Sequence, residues 1–348
     1  MLEREIALYR WLQYRRVEVS FVTYGGKSEL EYAKQIPGIR ILCNRMGLPR
    51  QWYERLLPFL HARHLRSATI YKSNQTNGAE VALRAARLWG KPFVARCGYM
   101  WSDLAAHGGQ AHEDEANRAA KIEKKVFEGA KIVVVTTPSM RSYVNRRYDI
   151  PPKKIHVVPN YVLTDLFVPD RKNSSGNRVC FVGRLSTEKN PLAIIDACAG
   201  LDVELVMVGS GPLQKTVAER AERLGVRLLL LGNIPHRDLP KILNSSQIFI
   251  LLSPHEGHPK ALLEAMACGL AVVGANSPGI RELIHHGETG WICEQEPGSV
   301  RAAILELIRN PQLRSALGSR ARLFVEENFS LGRIAELELK VLHEAATS

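Results

Sequence analysis

Short runs of β-branched and aliphatic residues alternate with longer amphipathic stretches along the whole chain, which is the pattern of parallel strands joined by helices. In the first half the runs are VEVSFVTYG (17–25), GIRILC (38–43), ATIYKS (68–73), PFVARCG (92–98), KIVVVTT (131–137) and KIHVVPN (154–160). In the second half they are RVCFVG (178–183), DVELVMVG (202–209), VRLLLLG (226–232), QIFILLS (247–253), LAVVGA (270–275) and GWIC (290–293). Two Rossmann-like sheets are the economical arrangement of these runs. Between the two series lies YVLTDLFVPDRKNSSGNR (161–178), with Pro169, Asn173, Ser174, Ser175 and Gly176, a composition that suits an interdomain linker. The expected domains are therefore 1–169 and 170–330. A final helix over 331–348, carrying Leu331, Ile334, Leu337, Leu339 and Val341 among charges, is expected to pack back on the first domain. The start is unusual: LEREIALYRWLQ (2–13) reads as an amphipathic helix with no strand or glycine turn ahead of it.

Composition narrows the class. A chain of 348 residues can bury two cores, and its 45% apolar and 24% charged residues are those of a soluble globular protein. No run is long enough to span a bilayer and no secretory signal is visible, so a cytoplasmic location is expected. Cys43, Cys97, Cys180, Cys198, Cys268 and Cys293 are scattered without a CxxC pair, as expected of reduced core residues. The net charge of +12 is uneven: residues 1–170 hold 27 Lys+Arg against 16 Asp+Glu, and residues 171–348 hold 20 against 19. A basic first half suits an anionic partner such as a phospholipid surface, a phosphorylated acceptor or nucleic acid; a merely solvated surface is the alternative. No RRM, KH or helix-turn-helix signature appears, so nucleic acid is not expected.

The chemistry-bearing residues concentrate in the second half. CFVGRLSTEKNP (180–191) places Gly183, Arg184 and Lys189 just past a strand, where two cations could neutralise a diphosphate or simply be surface charges. VMVGSGP (206–212) ends a strand in Gly209 and Gly211, which permit close backbone approach to a ligand, although it is neither GxGxxG nor a P-loop. LGNIPHRDLPKIL (231–243), with Ile234, could border a nucleotide base. SPHEGHPKALLEAMACGLAVVG (253–274) reads as a loop into a helix that stops at Gly269, so that Gly257, His258, Pro259 and Lys260 stand at a helix N-terminus favourable to phosphate. Glu256 stays in the loop and Glu264 lies about one turn inside the helix. Each could bind a sugar hydroxyl; taken singly, they could equally be a charge complementing the helix dipole and a solvated helix face.

FVGRLSTEKNP, VGSGP, EGHPKALLE with its E-x7-E spacing, EAMACGLAVVG and PGIRELIHHGETGW, in this order, resemble the donor domain of retaining glycosyltransferase family 4 (glycosyl transferases group 1), which has the GT-B fold. VVPNYVLTDLFVP (157–169) looks like that family's passage into its linker. The resemblance implies two Rossmann-like domains facing each other across a cleft, and transfer of a sugar from a UDP- or GDP-linked donor to a hydroxyl with retention of configuration. It implies that Arg184 and Lys189 stabilise the diphosphate, that Glu256 contacts the donor sugar and that Glu264 binds ribose. It further implies that Gly183, Gly209, Gly211, Ile234, Gly257, His258, Pro259, Lys260 and Leu262 line the donor site. The leaving diphosphate can itself take the acceptor proton, so no metal or other cofactor is expected; no Asp-x-Asp motif is present, and HEDE (112–115) reads as the opening of a polar helix.

Two departures bear on activity. Many relatives carry a histidine after the strand corresponding to PFVARCG, where this chain has Arg96, Cys97, Gly98 and Tyr99, with His107 the nearest substitute. Arg96, Tyr99 and Trp101 are the acceptor-side candidates, a packed aromatic pair being the alternative. The absent first strand and glycine turn could impair turnover. The expected function is a glycosyltransferase of cell-surface polysaccharide, lipopolysaccharide or glycolipid synthesis, with a glycan or lipid-linked acceptor and peripheral contact with the anionic inner face of a membrane. The alternatives are a nucleotide-sugar-binding protein without turnover and another GT-B enzyme such as a UDP-N-acetylglucosamine 2-epimerase.

Overall fold

The computed structural model describes residues 2–106, 113–170 and 176–347. The expected strands all form. They are β1 Ser20–Val22, β2 Arg40–Leu42, β3 Tyr71–Ser73, β4 Phe93–Cys97, β5 Ile132–Val135, β6 Ile155–Val157, β7 Arg178–Val182, β8 Glu204–Val208, β9 Arg227–Gly232, β10 Ile248–Leu251, β11 Ala271–Ala275 and β12 Trp291–Cys293. The chain divides into two compact units, one of Pro159–Ile334 and one of Leu2–Val158 with Ala335–Ser348.

In the unit of Pro159–Ile334, six strands pair in parallel in the order β12-β11-β10-β7-β8-β9. The central strands β10 and β11 are buried throughout, which explains why IFIL and AVVGA read as unbroken apolar runs rather than alternating ones. Helices Pro191–Cys198, Gln214–Arg223 and Pro297–Arg309 pack side by side, and Lys260–Ala267 packs with Pro311–Phe329. The unit begins at Pro159, ahead of the boundary expected near residue 170. The reason is packing: Val162 and Phe167 are buried, and the Arg322 guanidinium donates to the carbonyls of Thr164, Phe167 and Ala267. Asn244 ties down Val168 and Asp170 through its amide. The linker candidates Asn173, Ser174 and Ser175 lie outside the described residues.

The other unit departs from a single expected sheet. β3-β4-β5-β6 form one parallel sheet, while β1 and β2 pair only with each other. Helix Leu2–Tyr14 joins that pair in a small core of its own, with Ile6, Ile36, Ile39, Ile41 and Cys43. In a doubly wound sheet the first strand occupies the middle and carries the second and fourth at its sides. No strand among the described residues fills that place, so β1 and β3 have no common neighbour.

Helix Leu331–Thr347 contributes its residues from Ala335 onward to this unit. Its Glu338, fully buried, lies 2.7 Å from Lys72 Nζ and 3.7 Å from Arg96 Nη1. Burial opposes the charge on Glu338, but Lys72 and then Arg96 outweigh it and hold the carboxyl below its ordinary range. All six cysteines are free and buried.

Candidate active site

The order of the six-stranded sheet reverses between β7 and β10. From β7 the chain moves outward through β8 to β9, returns to place β10 beside β7, and leaves the other way through β11 to β12. Loops leaving the carboxyl ends of β7 and β10 therefore diverge, and the crevice between them is where open α/β sheets bind ligands. The donor candidates fall at these strand ends. β7 runs into Gly183, Arg184 and the 3-10 turn Thr187–Lys189, and β10 runs through Ser253 and Glu256 to helix Lys260–Ala267.

One contact spans the switch point directly. Lys189 Nζ donates to Glu256 Oε1 at 2.5 Å, with the lysine side chain 24% and the glutamate 11% exposed. Arg184, in the same turn, is exposed; its carbonyl accepts from Ser186 N at 3.0 Å, and its guanidinium makes no hydrogen bond or ion pair among the described residues. Helix Lys260–Ala267 has Pro259 as its cap residue with no side-chain cap hydrogen bond, and its N-terminal end turns the positive pole of the helix dipole toward this crevice, which favours an anion. The loop is held close by Gly279, where a Cβ would stand 2.3 Å from the Glu256 carbonyl and 2.4 Å from that of Gly257. Any side chain at Gly279 would push this loop away from the strand ends.

Gly209 and Gly211 also permit a close approach within the protein itself. A Cβ on Gly209, which has φ +127°, would stand 2.0 Å from the Gly183 carbonyl oxygen, and one on Gly211 2.3 Å from that of Leu185. The close approach is thus to residues 183–185, joined by Leu185 N to Ser210 O at 3.0 Å, and it braces the turn that carries Arg184. Ile234 is half-buried past β9, while Leu262 is fully buried and offers only its backbone to any ligand. The His258 ring packs on Phe329 with centroids 5.1 Å apart, and its carbonyl accepts from Asn160 Nδ2 at 2.7 Å.

Glu264 is 2% exposed, which excludes the solvated helix face. Its Oε1 lies 2.8 Å from Nε2 of His236, a buried residue whose ring packs against Phe167. Sequence reading passed over His236, whose only signal is its place two residues after Ile234. Its Nδ1, with Ser186 Oγ, Ser253 Oγ and Ser277 Oγ, is buried without a hydrogen-bond partner. The three hydroxyls follow β7, β10 and β11, which are adjacent strands. Buried polar atoms left unpaired are costly, and a hydroxyl- and phosphate-rich ligand is what would satisfy such a group.

The first-half candidates are differently placed. Arg96 gives its guanidinium to Glu338 and to the Val158 carbonyl (3.2 Å), and is 13% exposed. Arg96 thus ties the last helix to the strand end that carries it. Tyr99 is half-exposed, and Trp101 opens helix Trp101–Ala106. Glu123, fully buried, accepts from the backbone N–H groups of Trp101 (2.7 Å) and Ser102 (3.2 Å) and from the hydroxyls of Ser102 and Tyr148 (both 2.6 Å). That carboxylate fixes the segment carrying Tyr99 and Trp101. His107 and His112 lie outside the described residues. Among those described, no three His, Cys, Asp or Glu side chains cluster to hold a metal ion, and no helix is long and apolar enough to cross a membrane.

Family models match nearly the whole chain: one described as Glycosyltransferase Family 4 covers residues 6–166, and one described as Glycosyl transferases group 1 covers residues 164–324. The chain belongs to glycosyltransferase family 4. This glycosyltransferase is 27% identical to alpha-maltose-1-phosphate synthase of Mycolicibacterium smegmatis over 93% of its own length and 96% of that protein's. It is 29% identical to N-acetyl-alpha-D-glucosaminyl L-malate synthase of Bacillus anthracis, over 58% of its own length and 57% of the relative's. Its fold is that of Anabaena Alr3699/HepE, solved in complex with UDP and glucose, with a TM-score of 0.76 and 19% identity over 94% of this chain and 99% of that one. The glycosyltransferase thus has the two Rossmann-like domains of GT-B enzymes, a fold whose family moves sugars from nucleotide-sugar donors with retention.

Proposed function

We propose that this glycosyltransferase moves a sugar from a nucleoside diphosphate sugar to a hydroxyl of a glycan or lipid-linked acceptor in cell-surface polysaccharide or glycolipid synthesis, at the cytoplasmic face of a membrane. The observation that carries the donor half is the convergence on one switch point of two cations, the positive end of helix Lys260–Ala267 and buried serine hydroxyls without partners. Arg184 and Lys189 take the diphosphate, with the backbone N–H groups of Gly257, His258 and Lys260 behind them. Glu264, oriented by His236, accepts from the ribose, and Glu256 accepts from hydroxyls of the donor sugar.

The Lys189–Glu256 pair gives the site an internal logic. Without donor, each charge neutralises the other at 2.5 Å. A diphosphate outcompetes one carboxylate for Lys189, and this releases Glu256 toward the sugar. As the glycosidic bond breaks, negative charge grows on the diphosphate, where the two cations and the helix terminus already stand. The leaving oxygen takes the proton of the acceptor hydroxyl on the same face, so positioning and charge stabilisation supply the catalysis.

The test is a thermal-shift panel of UDP, GDP, ADP and their sugar conjugates, headed by UDP and UDP-glucose because Alr3699/HepE was solved with UDP and glucose. A ligand at a hundred times its dissociation constant adds about 2.7 kcal/mol. A shift with one base, lost in Arg184→Ala and Glu264→Ala, supports the donor site. The divided first sheet favours one second reading, a nucleotide-sugar-binding protein without turnover. Binding with neither transfer nor hydrolysis would establish it, and absence of any shift would overturn both.

A further inference from the structure

Helix Arg50–Leu60 has one broad apolar face that is only partly buried. Tyr53 and Leu57 enter the core, but Trp52, Leu56, Phe59 and Leu60 are 51%, 41%, 60% and 39% exposed. The spacing of these four, i, i+4, i+7 and i+8, makes one outward stripe rather than scattered exposure. Met46, 68% exposed, precedes the helix. Around the stripe the chain is basic: Arg40, Arg45, Arg50, Arg55, Arg63 and Arg66 stand within residues 40–66 against a single carboxylate, Glu54, which Arg50 already holds at 2.7 Å.

Beside the stripe lies a cavity of about 490 Å³. Arg40, Arg45, Arg63, His61 and His64 line it, no carboxylate does, and Met46 and Leu60 belong both to its wall and to the exposed apolar set. Arg40 Nη1 lies 3.1 Å from His64 Nδ1; since a guanidinium can only donate, that nitrogen accepts. Partial desolvation and then Arg40, Arg63 and Arg45 hold His64 below its usual range, and His61 is lowered by desolvation and then by His64 and Arg45. Uncompensated positive charge is thus concentrated in this cavity.

Cations in a recess that shares residues with an exposed aromatic and aliphatic helix face fit one chemistry, an anionic lipid surface. We infer that residues 45–66 are the membrane-docking surface of this protein: the arginine-lined cavity takes lipid phosphate, and Trp52, Leu56 and Phe59 enter the headgroup and acyl boundary. This rests on the membrane-facing part of the proposed function and names the surface responsible. An acidic protein partner would use the arginines but would have no need of an apolar stripe bordered by them.

The test is flotation of the full chain with phosphatidylcholine vesicles, with and without phosphatidylglycerol, at low and high salt. Retention on the anionic vesicles alone, falling with salt, is expected. Trp52→Ser with Phe59→Ser, both exposed although Phe59 also stands edge-on to Trp89, should weaken retention about tenfold or more. Each arginine near an anionic surface contributes roughly fivefold, so Arg45→Glu with Arg63→Glu should abolish retention, whereas Lys121→Glu with Lys125→Glu, the same change of charge on an exposed helix elsewhere, should leave most of it. Equal retention on neutral vesicles, no retention on either, or equal losses in the two charge-reversal pairs would overturn the assignment. The nucleotide thermal shift, measured on the same variants, should stay unchanged, so failure of docking and failure of the donor site are read separately.

Discussion

The Lys189–Glu256 contact predicts that one substitution moves binding and turnover in opposite directions. Glu256→Gln keeps the size of the side chain and removes the charge that competes with a diphosphate for Lys189. Two unit charges about 4 Å apart near a protein surface interact by about 4 kcal/mol at an effective dielectric of 20. The side chains are 24% and 11% exposed, so the pair lies between a solvated ion pair, worth up to about 1 kcal/mol, and a desolvated charged hydrogen bond of about 1.5–3 kcal/mol. A value of about 1–2 kcal/mol corresponds to roughly fivefold to thirtyfold tighter binding of the bare nucleoside diphosphate, because the neutral amide yields Lys189 more readily. Turnover should fall at the same time by about two orders of magnitude, since the sugar loses a charged acceptor. Calorimetric titration with the diphosphate that scores in the panel, beside a transfer assay, measures both. An affinity in Glu256→Gln equal to or weaker than that of the parent, at an unchanged melting temperature, would refute the competition between carboxylate and diphosphate.

Three other outcomes follow from buried carboxylates. Glu264→Ala should weaken nucleotide binding about tenfold to a hundredfold and erase discrimination between the ribo- and 2′-deoxyribonucleoside diphosphates, with His236→Phe moving that ratio the same way; an unaltered ratio in both variants assigns the ribose elsewhere. Glu338→Gln leaves Lys72 buried beside Arg96 without its counter-charge and should cost about 3–5 kcal/mol, read from denaturant unfolding of the unit that contains it. The sign with pH follows from the lowered carboxyl: its contribution is fully present above the unfolded glutamate value of about 4.3, and is lost as pH falls through the lower folded one. Acid should therefore destabilise the parent more steeply than Glu338→Gln, and parallel profiles would exclude that origin. Glu123→Ala should release the start of helix Trp101–Ala106 and leave the Tyr148 hydroxyl unpaired, lowering stability by about 1–3 kcal/mol and increasing amide exchange at Trp101 and Ser102; protection equal to that of the parent would count against the cap.

Much of this protein was decided locally. The runs of β5, β10 and β11 produced their strands because parallel strands buried on both faces must be continuously apolar, and that condition is visible in the letters. The order of motifs around Arg184, Lys189, Glu256 and Glu264 was equally legible, since a strand-loop-helix step places its residues at a sheet edge regardless of what lies opposite. The tertiary structure decided the pairings. That Lys189 meets Glu256 across 67 positions, that Glu264 faces His236, and that Arg96 meets Glu338 follow from which strands and helices lie side by side. Glu123 and Glu338 did leave a trace. Each interrupts an apolar helical stripe, Ala119, Val126 and Phe127 in one case, Ile334, Val341 and Ala345 in the other, but the stripe cannot name the partner. The split of the first sheet and the early boundary at Pro159 were also beyond the pattern. A polar loop that reads as a linker becomes part of a domain when a distant arginine, here Arg322, collects its carbonyls, and sequence spacing carries no record of that encounter.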